Sequence, residues 1–278
     1  MHTAKHVATN SSSLFLRRRI ALICLALGCL ATGIASVSAA PSATPMVLYD
    51  GALGNQPNDQ GFTFVAPPSV SPTTSGGATV LNTSSDKNSF AGYFSKPTPQ
   101  LVLDRVVGYT VSFTVQVELE NHSGSDRNKD GTEDRAGFSL IVLSSDKRGI
   151  ELGFWQDRIW AQEGGTGETL FTQAEGAAFD TQSGRIGYVL TVRGDSYALT
   201  SNNTPICSGK LRDYSAFIGF LDPYETPNLI FLGDDTSSAS AKIQLAYVAA
   251  GLIEHNAPSL DRKLYVPLVV RGDPIPFE

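Results

Sequence analysis

Cysteine is scarce in this chain. There are three, and Cys24 and Cys29 fall in the first forty residues, leaving Cys207 alone in the remainder. A single thiol forms no internal disulfide, so the domain must stand on its core rather than on cross-links. Histidine is equally sparse: beyond position 40 only His122 and His255 remain. That excludes a His-based metal set and leaves little to activate a nucleophilic cysteine. No basic run occurs beyond position 40, and no glycine-rich phosphate loop is found. Without the four basic residues before position 41, 17 basic side chains face 27 acidic ones, a balance of -10. Such a chain is not built for nucleic acid, whose binding rests on neutralising phosphates. Helical periodicity is missing too, beyond a turn or two, between residues 46 and 251. The chain is globular in composition, 41% hydrophobic and 17% charged over 278 residues, and the part beyond position 40 is long enough for one large core.

The long uncharged run lies at the start. Arg17-Arg18-Arg19 is followed by IALICLALGCLATGIASV and then by Ser38-Ala39-Ala40. Basic, apolar and small regions in that order make a secretory signal over residues 1–40, cut near Ala39 or Ala40. The competing reading is an uncleaved anchor, since about 20 apolar residues can span a bilayer. Export implies a secreted or cell-surface protein, with no transmembrane segment once the signal is removed. A short tether over 41–45 leads into one domain over 46–256. The tail over 257–278 carries LYVPLVV, which resembles short aromatic-Pro-Leu-Val tails on some exported bacterial proteins. It also reads as one apolar edge strand bent at Pro267.

Strand signals dominate the domain. In GYTVSFTVQVELE, Val111, Phe113, Val115, Val117 and Leu119 alternate with Thr110, Ser112, Thr114, Gln116, Glu118 and Glu120. AGFSLIVLSS follows, then GIELGFW and RIWAQ as a hairpin turning at Asp157-Arg158. IGYVLTVRGD and SYALTSN pair about Gly194-Asp195. Strands at short spacing without helices between them argue for an antiparallel β-sandwich. Cys207, alternating with polar neighbours in TPICSGK, reads as a small apolar core residue.

This succession, closed by NLIFLGDDTSSASAKIQLAYVAAG, resembles the concanavalin A-like (laminin-G-like, pentraxin-like) jelly rolls over residues 46–251. The resemblance implies two curved sheets, ligands on the concave face or edge loops, and frequent calcium. It leaves function open, because that fold hosts lectins, adhesion modules and glycosidases.

Three constellations could carry chemistry. Asp126-Arg127-Asn128-Lys129-Asp130-Gly131-Thr132-Glu133-Asp134 has the form D-x-N-x-D-G-x-x-D. It resembles the calcium loops of EF-hands, dockerins and thrombospondin-type repeats, with Asp126, Asn128, Asp130, Asp134 and the Thr132 carbonyl as ligands. Gly137 stands where an EF-hand has its bidentate Glu, which implies weak affinity. The same residues also make a solvated turn. Second, alternation puts Glu151, Trp155, Trp160 and Gln162 on one face of the hairpin, with Ile150, Leu152 and Phe154 on the other. Two rings beside a carboxylate and an amide suit a sugar, and they equally suit a cross-strand aromatic pair. Third, Glu118 and Glu120 share a face, as paired carboxylates of retaining glycosidases do, or as a solvated edge does. Asp234-Asp235-Thr236-Ser237-Ser238 reads as a polar turn, with a weaker metal loop as the alternative. The expectation is an exported, calcium-stabilised, non-catalytic carbohydrate-binding or adhesion module. The alternatives are a glycoside hydrolase using Glu118 and Glu120, or a purely structural envelope protein.

Overall fold

Two thirteen-residue strands, Tyr109–Asn121 (β6) and Ser240–Leu252 (β15), run antiparallel at the centre of one sheet. The computed structural model describes residues 44–219 and 222–253. The signal segment, the start of the tether and the 257–278 tail lie outside the described residues. Beyond β6 the sheet continues through Ile186–Arg193 (β11), Ser196–Ser201 (β12) and Thr204–Lys210 (β13). Beyond β15 come Ala78–Asn82 (β4) and Thr73–Ser75 (β3), while Met46–Asp50 (β1) pairs with the end of β15. Gly194-Asp195 is the two-residue turn between β11 and β12, with Arg193 opposite Ser196 and Gly194 at φ 59°.

The second sheet begins with Gln173–Ala178 (β10), Arg158–Gln162 (β9), Gly149–Phe154 (β8) and Ser139–Leu143 (β7). Ile230–Asp234 (β14), Ala91–Ser95 (β5) and Phe62–Val65 (β2) complete it. All neighbours are antiparallel, and among the described residues there is no α-helix. The protein is the all-β, two-sheet antiparallel sandwich that the strand spacing predicts.

Period-two burial explains the stacking. Val111, Phe113, Val115 and Val117 of β6 meet Leu140 and Val142 of β7 and Ile150, Leu152 and Phe154 of β8 in one core. Each such side chain contributes roughly 1.5–3 kcal/mol on full burial. Cys207 packs at the margin of this core, and burial pushes its thiol up to about 11. It is an apolar filler, as its setting on a strand suggests.

Along β6 the alternation breaks once. Ile243 pairs with Val117 but Lys242 pairs with Leu119, so Glu118 is an extra, bulged residue on β6. Past the bulge every side chain changes face. Leu119, expected in the core, is 52% exposed, and the Glu120 side chain is 1% exposed.

A second apolar cluster lies on the other face of the second sheet. Ile141, Leu143 and Phe231 project from β7 and β14, and Leu170, Phe171, Tyr214, Tyr224 and Leu229 close over them from loops. That loop-covered face holds the site.

Candidate functional site: a cleft on the loop-covered face

Two rows of residues cross this face. Phe94 stands opposite Phe231, Phe231 opposite Ile141, and Ile141 opposite Glu151. The next row runs Gly92, Gly233, Ser139, Gly153, Trp160 and Gly176 over six strands. Those small residues make room for large neighbours. A Cβ on Gly153 would lie 2.7 Å from Cζ2 of Trp160, and one on Gly92 would strike the Phe231 ring.

The hairpin turns at Gln156-Asp157, not at Asp157-Arg158. Phe154 pairs with Ile159, Gly153 with Trp160, and the Trp155 N–H donates to the Arg158 carbonyl. The register is displaced by two residues from the sequence expectation, which preserves the faces. The indoles do meet, with ring centroids 4.4 Å apart and tilted by 58°.

The expected open sugar platform is not formed. Glu151, Trp160 and Gln162 are fully buried, and only Trp155 keeps partial exposure. The physical reason is a lid made by the end of the acidic loop. Trp155 Nε1 donates to the Arg135 carbonyl (2.9 Å), and Gln162 Nε2 donates to the Asp134 carbonyl (2.9 Å). The outer face of Trp155 is stacked by His122, with centroids 3.8 Å apart and planes at 14°.

The acidic loop is itself divided. Asp126 accepts the N–H groups of Lys129 (2.7 Å) and Gly131 (3.0 Å). Asp130 accepts from the Thr132 N–H and from Asn128 Nδ2 (both 2.8 Å). These side chains, with Thr132, stay on the outer turn. Asp134 points the other way: it is 1% exposed and accepts the N–H groups of Arg127 (2.8 Å) and Gln173 (3.1 Å). Among the described residues no three His, Cys, Asp or Glu side chains are grouped to hold a metal ion.

Glu118 and Glu120 do not form a pair either, because the bulge turns them to opposite faces. Glu118 forms an ion pair with Lys242 Nζ (2.7 Å) and accepts from Gln244 Nε2, which holds its carboxyl below the usual range. Glu120 is buried against His122 Nδ1 (2.6 Å) and the Gly137 N–H (3.2 Å), and burial raises its pKa.

What the loops do create is a cleft of about 260 Å³. Phe90, Phe94, Phe171, Phe217, Tyr224 and Phe231 line it together with the turn from Asp234 to Ser238. Arg127 and Arg135 come from the acidic loop and lie over the same Phe171 ring, 5.6 and 4.7 Å from its centroid. Phe171 holds φ at 65°, a conformation that costs a bulky residue strain and that recurs at functional sites.

A buried charge cluster forms beside the cleft. Arg135 Nη2 donates to Asp235 Oδ2 at 2.8 Å. It also lies 3.3 Å from Glu151 Oε1, an ion-pair distance without hydrogen-bond geometry. Tyr224 donates to Glu151 Oε2 (2.5 Å), and the Tyr214 hydroxyl accepts the Glu151 N–H (3.1 Å). Burial first, and Asp235 second, push the Glu151 carboxyl up to about 8. Burial would depress Arg135, but Glu151 and Asp235 outweigh it and keep the guanidinium charged. Asp234, which accepts from Thr83 Oγ1 (2.6 Å) and the Thr236 N–H (3.1 Å), is raised by burial. Arg135 Nη1 and Asp235 Oδ1 have no hydrogen-bond partner among the described residues.

Sequence reasoning did not single out Arg127, Arg135, Phe171 or Tyr224, and it favoured a plain turn for Asp234 to Ser238. Trp155, Gln162 and Asp134 are instead the struts of the segment that presents Arg135.

No family model and no curated protein matches the chain. Among solved structures it is similar to a carbohydrate esterase from the Shiga toxin-encoding bacteriophage phi24B. That match has 12% identity and a TM-score of 0.49, and covers 76% of this chain and 100% of that one. A protein of unknown function with a galectin-like fold from Bacillus subtilis has 8% identity and a TM-score of 0.47, covering 77% and 100%. The exoplasmic/lumenal domain of VIP36, in a calcium- and mannose-bound form, has 12% identity and a TM-score of 0.44, covering 76% and 91%. At these identities the likeness is one of architecture.

Proposed function

We propose that the protein is an exported, cell-surface or extracellular carbohydrate-binding module that takes a glycan in the cleft between the acidic loop and the Asp234–Ser238 turn. One observation carries the reading: aromatic rings surround a cleft whose buried Arg135 and Asp235 each keep one polar atom unpartnered. Sugars offer apolar ring faces and hydroxyls that both donate and accept, so rings with one donor and one acceptor match them. At about 260 Å³ the cleft is smaller than the ~300 Å³ at which pockets for drug-sized ligands begin. It suits one sugar residue or a chain end.

Binding rather than catalysis is favoured by how the carboxylates are engaged. Glu118 is tied to Lys242, Glu120 to His122, and Glu151 to Tyr224 and Arg135. Calcium enters as a separate proposal: the outer turn offers Asp126, Asn128, Asp130 and the Thr132 carbonyl, while Asp134 would have to leave its two N–H partners to join them.

The test is a glycan-array screen of the purified protein with and without millimolar calcium, followed by calorimetry on Phe217→Ala and Asp235→Asn. Retention of a glycan that both substitutions weaken by tenfold or more supports the cleft. If no glycan is retained, the carbohydrate-binding reading falls. A melting midpoint that calcium raises in wild type but not in Asp130→Ala supports the ion.

A further inference from the structure

The cleft holds more cationic donor capacity than its own carboxylates use. Arg135 is 6% exposed, and both of its short carboxylate contacts, to Asp235 and Glu151, run through Nη2. Arg135 lines the cleft, its Nη1 is buried without a partner, and a buried guanidinium nitrogen left unbonded is costly. Arg127 is exposed, and its guanidinium contacts the Phe171 ring without an ion pair to any described residue. Both cations therefore converge on one ring at the mouth of one cleft.

We infer that the glycan taken by this cleft is acidic, its carboxylate held by Arg127 and by Nη1 of Arg135. The inference rests on the carbohydrate reading and specifies it. Arginine matches a carboxylate through planar, charge-assisted hydrogen bonds, which exceed those to neutral hydroxyls in strength. The resident acids do not cancel this charge. Asp235 and Glu151 both sit against Nη2 of Arg135, and no described carboxylate lies within ion-pair distance of Arg127. Arg127 is then the uncompensated charge of the lining. The arginines' attraction is screened beyond about one Debye length, ~8 Å at physiological salt, and the chain beyond position 40 carries a balance of -10, so a long polyanion gains nothing from its distant charges. One acid residue at a chain end fits the cleft volume and this field together.

The experiment uses the purified full chain and galacturonate- and glucuronate-terminated tetrasaccharides. Each is titrated beside its carboxyl-reduced counterpart and beside a sulfated analogue. Wild type is expected to bind the acid form about tenfold or more tightly than the reduced form. Arg127→Gln changes an exposed side chain and should bring the two forms within about threefold, chiefly by weakening the acid form; Arg127→Lys should recover part of the preference. Equal affinity for acid and reduced forms overturns the inference and leaves the carbohydrate reading intact. So does preference for the sulfated probe, or an acid preference that survives Arg127→Gln. If no probe binds and the array retains no glycan, both fall together.

Discussion

A methyl group at Gly153 would meet the Trp160 indole, and one at Gly176 would stand 2.5 Å from the Trp160 Cβ. Neither neighbour is free to yield, because Trp160 is fully buried under the acidic loop. Gly153→Ala is therefore expected to cost about 1–3 kcal/mol, the usual range for overpacking. Urea denaturation measures it, and a change below ~0.5 kcal/mol would mean the indole has room to shift. The loop's acids divide the same way. Asp134 is buried and accepts two backbone N–H groups, so Asp134→Ala strands both donors and should cost about 1–3 kcal/mol. Asp130 sits on the exposed turn, and Asp130→Ala should stay within ~0.5 kcal/mol in the absence of calcium. A motif of equally spaced acids thus separates into one anchor and a set of turn formers.

At the level of elements, the bulge in β6 decides which residues reach the core. Strict alternation makes Val117 and Leu119 equivalent, whereas the structure buries the first and leaves the second 52% exposed. Val117→Ala should destabilise by about 1–3 kcal/mol, and Leu119→Ala by less than ~0.5. Chemical denaturation of the two variants side by side reads the difference. Comparable losses would restore the unbroken strand and put Glu118 and Glu120 back on one face. The strands themselves were legible, because β-branched and aromatic residues at period two mark a half-buried surface whatever it packs on. Gly194-Asp195 was legible as a turn for the same local reason. The bulge was not, since it depends on the pairing of Lys242 and Ile243, more than a hundred residues away. Nor was the cleft. Phe94, Arg127, Phe171, Tyr224 and Asp235 lie far apart in the chain and meet because β5, β14, β7 and β8 are neighbours in the sheet, an order that no local pattern encodes.

Over the whole molecule, the buried carboxyls set how stability responds to pH. Burial is the first cause raising Glu120, Glu151 and Asp234. Each therefore keeps a proton in the folded state over a range where the unfolded chain has lost it. The folded state then binds more protons than the unfolded one, so stability falls as pH rises from the unfolded value towards the folded one. For Glu151 that window runs from the ordinary value of 4.5 up to about 8. Glu118 and Glu175 act with the opposite sign. Lys242 and Gln244 hold Glu118 down; burial opposes the shift at Glu175, but the bond from Arg212 prevails. What those two contribute is present above the unfolded value and is lost as pH falls through their folded values. Acid unfolding and alkaline weakening together place maximum stability on the weakly acidic side of neutrality. Thermal melts are expected to show a higher midpoint at pH 5.5 than at pH 8.5. Each kcal/mol should move it by about 2–4 °C in a domain of this size. Glu151→Gln isolates one of these contributors, since an amide can still accept from Tyr224 and carries no charge to desolvate. Its midpoint should fall less than that of wild type between those two pH values. If both proteins lose the same number of degrees, the Glu151 carboxyl is already ionised at neutral pH, and Arg135 is balanced by two charges rather than one.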